Sequence, residues 1–172
     1  AGSRPRSVVG GGAKRADAPL RRLAERLGAP VVETANARGL LHRHPLCVPA
    51  SPSLKPVRAL MAEADLVIAA GTEFGPTDYD GYGDGGFVLP TNLIRIDIGA
   101  DQLARRPVTV GIQADCAEAL RALLAELASA PFVAKDGDAR AAAARKAAFA
   151  ELKPDYVAQM RAVETIRDAL PG

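Results

Sequence analysis

The chain has 172 residues, the size of one ordinary domain, and folding at that length buries roughly 70% of the accessible surface without a disulfide or metal staple. Lysine and arginine total 22 against 20 aspartates and glutamates, and no basic cluster is interleaved with aromatics, which excludes a nucleic-acid footprint. Aromatics are only 4% with no Trp, which argues against stacking platforms, while 48% hydrophobic residues, many of them alanine, exclude disorder as the main state.

In chain order, Ser7-Val8-Val9 predicts a short buried strand running into the turn Gly10-Gly11-Gly12. Leu20, Leu23, Ala24 and Leu27 share one face of a helix over 17–27, which Gly28 stops. A second strand covers 30–34, and the proline-rich stretch from 35 to 56 reads as loop. A helix over 56–63 leads to a third strand at 66–70, closed by Gly71-Thr72. Residues 73–92 form a long Gly/Asp/Pro loop, a type that is usually functional or partner-facing. A fourth strand at 93–98 precedes a helical turn near 101–104. A fifth strand at 108–112 precedes a helix capped by Asp115. Alternating strands and helices predict an α/β fold: a three-layer, mostly parallel, Rossmann-like sheet flanked by helices.

The composition changes after Pro131. Residues 136–152, rich in Ala, Arg and Lys, have the look of a connecting helix. A last helix from Pro154 carries the apolar stripe Val157, Met160, Val163, Ile166 and Leu170, which should fold back on the domain or pair with a second copy. The expected organisation is a domain over 1–130 and a helical linker over 131–172. The chain starts without methionine and its first strand begins almost at once, so a piece of something longer is expected.

Several features offer chemistry. The Gly10–Gly12 turn lies between a strand and a helix, where backbone amides and a helix N-terminus can cradle a phosphate. Glu33 follows Gly12 by 21 residues, at the position of a ribose-binding acid. Arg15 stands where the third glycine of GxGxxG belongs, so a plain tight turn is the competing reading. Gly83-Asp84-Gly85 matches the opening of a magnesium–diphosphate motif, but it lacks a preceding strand and a paired asparagine about two dozen residues on. His42 and His44 share one loop with no Cys or carboxylate cluster, which leaves neither a metal site nor a catalytic set. Cys47 and Cys116 match no ligand spacing and read as reduced, buried thiols of a cytoplasmic protein. No apolar run approaches a membrane span.

Together, VVGGGAKRA (8–16), LAERLGAPVVETANARGLLHRHPL (23–46), ADLVIAAGTEFGPTDYD (64–80), LIRIDIGADQL (93–103) and the Ala114-Asp115 helix start resemble one family. It is the central domain of thiamin diphosphate-dependent enzymes of the acetolactate synthase and 2-oxo acid decarboxylase superfamily. The run from Gly71 to Asp80 looks most like members acting as 5-guanidino-2-oxopentanoate decarboxylases. The resemblance implies a parallel sheet of six strands between two outer domains. Those domains hold thiamin diphosphate, magnesium and the activating glutamate, in a homo-oligomer. It also implies that this chain is not catalytic alone, but scaffolds and lines an inter-subunit active site through Tyr79, Asp80 and the 73–90 loop.

Some members of that superfamily bind FAD or an ADP moiety on the central domain. The matching positions are Gly10, Gly11, Gly12, Gly71, Thr72 and Asp97, with Asp115 as a further candidate. Glu73 stands where FAD-binding members carry an arginine, and Val48-Pro49-Ala50-Ser51-Pro52 replaces their glycine- and histidine-containing segment. A carboxylate repels a pyrophosphate, so FAD is not expected and the nucleotide site is read as vestigial. The alternatives are an FAD- or adenine-nucleotide-binding module, or a free-standing dinucleotide-dependent oxidoreductase domain.

Overall fold

A computed structural model describes residues 5–79, 87–130 and 136–170. Strand β1 (Pro5–Val9) leads through a 3-10 turn, Gly11–Ala13, to helix α1 (Asp17–Leu27). β2 (Val31–Glu33) follows, then the extended segment β3 (Arg38–Leu41) and the two-residue strand β4 (Cys47–Val48). Helix α2 (Lys55–Ala62), β5 (Leu66–Ala70), β6 (Leu93–Asp97), the short α3 (Ala100–Ala104), β7 (Val110–Gln113) and α4 (Cys116–Glu126) complete the α/β alternation. Two further helices follow, α5 (Gly137–Glu151) and α6 (Pro154–Ala169).

Six strands form one sheet in the order β4-β2-β1-β5-β6-β7, with every pair parallel. The five strands expected from residue pattern are present. The sixth, β4, lies inside the stretch read as loop and pairs Val31 with Cys47 and Val32 with Val48.

Period-two alternation divides the core between the two faces of the sheet. Val9, Val31, Ile68, Ala70 and Ile96 meet Leu20, Leu23 and Leu27 of α1 and Leu120 of α4. Val32, Val67, Ala69 and Leu93 meet Val57, Leu60 and Met61 of α2 and Ala141, Ala144 and Ala148 of α5. Helix α5, which composition presents as a connector, therefore packs on the second face. Its alanines recur at spacings of three and four, a narrow stripe that lets α5 approach α2 closely. Gly28 ends α1 at φ +51°, with its N–H donating to the Ala24 and Glu25 carbonyls.

The final helix behaves differently, because none of its residues is buried. Met160, Val163, Ile166 and Leu170 all face solvent. The expected folding back of this stripe onto the domain does not occur.

Candidate functional site

β1 is followed on one side by β2 and on the other by β5, so the chain reverses direction of travel across the sheet between them. Ligand clefts of open α/β sheets open at such a point, beyond the carboxyl ends of the strands. A cleft of about 300 Å³ lies there, lined by Gly11, Gly12, Lys14, Arg15, Gly71, Asp97, Ile98, Ala114, Asp115 and Cys116. Of the sequence candidates, Gly11, Gly12, Gly71, Asp97 and Asp115 thus share one cleft. Gly10 and Thr72 lie behind it, pressed together: a Cβ on Gly10 would stand 2.3 Å from the Gly71 carbonyl oxygen and 2.6 Å from Thr72 Cα.

Most of the donors a phosphate would use are already engaged. Gly10 N–H donates to Ala70 O at 3.0 Å, and Gly12 N–H donates to Gly71 O at 3.0 Å. The glycine turn does not open α1 either, since a 3-10 turn intervenes and α1 starts only at Asp17. The helix beginning at the cleft is α4. There the Asp115 carboxylate caps the N-terminus, accepting from Ala117 N at 2.8 Å and Glu118 N at 3.2 Å. Asp97 accepts from Gly99 N at 3.0 Å, which turns its carboxylate toward its own loop.

The charge at this end of the cleft is negative. Burial pushes the Cys116 thiol up to about 11, and the neighbouring charges of Asp115 and Asp97 push in the same direction. Lys14 and Arg15 are exposed and supply the opposing positive charge among the lining residues. Glu73 is exposed and does not line the cleft.

Two sequence candidates occupy other surroundings. Glu33 is only 1% exposed, so it cannot meet a ribose in the cleft. It accepts the Cys47 thiol proton at 3.3 Å, and burial raises its carboxyl above the ordinary range. Tyr79 is likewise buried. Its hydroxyl pairs with Thr72 Oγ1 at 2.9 Å, and its ring packs against Phe74 and Phe87 at centroid distances of 4.9 and 4.6 Å. Asp80 and Gly83-Asp84-Gly85 lie outside the described residues.

Sequence reasoning missed Arg95. This β6 residue is 1% exposed, donates to Thr72 O at 3.0 Å and Gln102 O at 2.9 Å, and lies 5.2 Å from the Phe74 ring centroid. It fastens the Gly71-Thr72 turn from below. A lone cation inside the apolar strand LIRID was the available signal.

Among the described residues, no group of three or more His, Cys, Asp or Glu could hold a metal ion. No described helix is long and apolar enough to cross a membrane.

The fold is that of an α/β domain with a parallel, Rossmann-like sheet flanked by helices. Residues 1–123 match the model of the thiamine pyrophosphate enzyme central domain, and the chain belongs to that family. It is 34% identical over 174 residues to the probable 2-ketoarginine decarboxylase of Pseudomonas aeruginosa, covering all of this chain and 31% of that protein. It is 33% identical over 131 residues to an acetolactate synthase of Mycobacterium avium, covering 72% of this chain and 21% of that protein. The X-ray structure of "a putative thiamin diphosphate-dependent enzyme isolated from Mycobacterium smegmatis" superposes with a TM-score of 0.54 at 27% identity. That match covers 72% of this chain and 24% of the other. The chain thus spans about a third or less of the length of these relatives.

Proposed function

We propose that this chain is the central scaffold of a longer cytoplasmic enzyme that uses thiamin diphosphate and magnesium to decarboxylate a 2-oxo acid or join it to a second carbonyl. The cofactor supplies the electron sink for that chemistry, and flanking domains hold it. Residues 1–130 form the scaffold. Residues 131–172 lead toward the diphosphate-binding domain, with α5 held on the sheet and α6 following it. A guanidino-bearing 2-oxo acid is the first substrate to test, because the similarity to the 2-ketoarginine decarboxylase runs the whole length of this chain.

The switch-point cleft keeps the shape of a nucleotide site without its ligand. The observation that carries this reading is the internal use of its anion-binding groups: Gly10 and Gly12 N–H on Ala70 O and Gly71 O, and the α4 terminus on Asp115. FAD or ADP would have to displace those bonds and approach two carboxylates.

The test is calorimetric titration of the 172-residue chain with thiamin diphosphate plus magnesium, with FAD and with ADP. No saturable binding is expected, and the purified protein should be colourless. The longer protein should release CO2 from a 2-oxo acid only with thiamin diphosphate present. Micromolar binding of thiamin diphosphate by the 172 residues alone would overturn the scaffold reading. Flavin that persists through gel filtration, or saturable ADP binding, would restore the nucleotide module.

A further inference from the structure

The switch-point cleft holds acidic groups that the protein uses only by half. Asp97 lines the cleft while only 9% exposed. Its Oδ1 accepts from Gly99 N, and its Oδ2 has no hydrogen-bond donor among the described residues. Asp115 is divided in the same way: Oδ1 serves Ala117 N and Glu118 N at the α4 terminus, and Oδ2 has no donor. Arg95 offsets part of the Asp97 charge, but its N–H groups are committed to Thr72 O and Gln102 O.

The other wall is cationic. Lys14 and Arg15 line the cleft, and among the described residues their side chains make no ion pair or hydrogen bond. They follow β1, whereas Asp97 ends β6 and Asp115 follows β7, two and three places further along the sheet. At about 4.8 Å between strands, the two poles stand roughly 10–14 Å apart at the backbone. Ile98 lines the same cleft and is 75% exposed, which leaves an apolar contact for methylene groups.

This pattern specifies a ligand. Two unused acceptors on separate elements suit a planar guanidinium, whose donors point along several edges, better than a compact ammonium. The cationic wall requires a carboxylate at the ligand's far end. An α-ammonium beside that carboxylate would meet Lys14 and Arg15 and be repelled. A volume of about 300 Å³ is the lower limit of ligand pockets, which admits such a chain but not a dinucleotide.

We propose that the cleft binds a linear guanidino acid without an α-amino group, its guanidinium bridging Asp97 and Asp115 and its carboxylate toward Lys14 and Arg15. That the longer protein meets such a compound rests on the guanidino 2-oxo acid proposed above as substrate; the charge pattern of the cleft does not.

An NMR titration of the 172-residue chain with 4-guanidinobutanoate tests the site without cofactor or turnover. The amides of Gly12, Gly71, Ile98 and Cys116 should shift saturably, with a Kd on the order of 1 mM. Asp97→Asn and Asp115→Asn retain the oxygen that serves Gly99 N or the α4 terminus and remove only the charge. Each should leave the rest of the spectrum unchanged and weaken binding about tenfold or more. L-Arginine carries the α-ammonium and butanoate lacks the guanidinium, so both should bind about tenfold or more weakly. No saturable shift, shifts confined to other surfaces, or asparagine variants that bind like wild type would overturn the proposal. Tighter binding of 5-aminopentanoate than of 4-guanidinobutanoate would overturn it as well. A longer protein that decarboxylates a guanidino 2-oxo acid while this chain binds none would remove this site and leave the substrate reading standing.

Discussion

Gly12 and Gly71 meet backbone to backbone: Gly12 N–H donates to Gly71 O at 3.0 Å, and a Cβ on Gly71 would stand 2.6 Å from Gly12 Cα. The contact joins the turn after β1 to the turn after β5, the two strands that flank the switch point. The paired turns form one wall of the cleft at that point. Neither turn could approach the other this closely with a side chain at either position.

Gly71→Ala should therefore be costly. The residue sits at φ +61°, which a side chain disfavours by about 1 kcal/mol, and its Cβ would collide with Gly12 and Ala13 backbone atoms that cannot swing aside. The expected loss is about 3 kcal/mol by urea unfolding. Gly39, at φ +101° with open space around it, is the control. Gly39→Ala should cost about 1 kcal/mol. Equal losses at the two sites would mean that the packing of the two turns contributes nothing.

Arg95 should be equally hard to replace. Burial lowers its pKa, with the nearby Asp97 charge opposing, yet the guanidinium is retained because two carbonyls depend on it. Arg95→Leu would strand Thr72 O, and a loss of about 3 kcal/mol is expected. Arg95→Lys should rescue little, since one ammonium cannot span both acceptors in the guanidinium's fork geometry. Thermal unfolding of the two variants checks this, and a lysine variant as stable as the wild type would refute it.

What could be read in advance follows from the range of the forces involved. Strands β1, β2, β5 and β6 each contain adjacent apolar residues, β7 carries Val110 and Ile112 at alternate positions, and Gly28 and Asp115 mark helix ends through local chemistry. Strand β4 is two residues long, set among prolines, and exists because β2 pairs with it; no local window contains that fact. Glu33 has the spacing of a ribose-binding acid, but spacing does not state which face of β2 a carboxylate takes. Arg95 and Tyr79 owe their roles to contacts across 23 and 7 residues, through Thr72 in both cases.

Both thiols should be inert in the folded protein. Burial pushes Cys47 up to about 12 and Cys116 up to about 11, so the thiolate is scarce at neutral pH in addition to being inaccessible. Ellman's reagent at about pH 8 should label neither thiol in buffer and both, the full count of two, in denaturant. Rapid labelling of one thiol in the native state would show that its surroundings open without global unfolding.

The Cys47–Glu33 contact also predicts the sign of a pH dependence. Desolvation raises the Glu33 carboxyl pKa, and this outweighs the opposing effects of the Cys47 thiol, the Gly39 N–H and the Arg38 charge. The native protein therefore keeps this proton to higher pH than the unfolded chain does. Where the native state binds more protons, stability falls as pH rises. The contribution of Glu33 is thus most favourable below the ordinary carboxylate range and is lost as pH climbs through and above it. Glu33→Gln keeps an oxygen to accept from Cys47 Sγ and removes the ionisation. Urea unfolding of wild type and variant at several pH values should give nearly equal stabilities in acid, with the variant increasingly the more stable toward neutral pH. Two curves that stay parallel across that range would mean that Glu33 ionises in the folded protein as easily as in water, and that its burial carries no electrostatic cost.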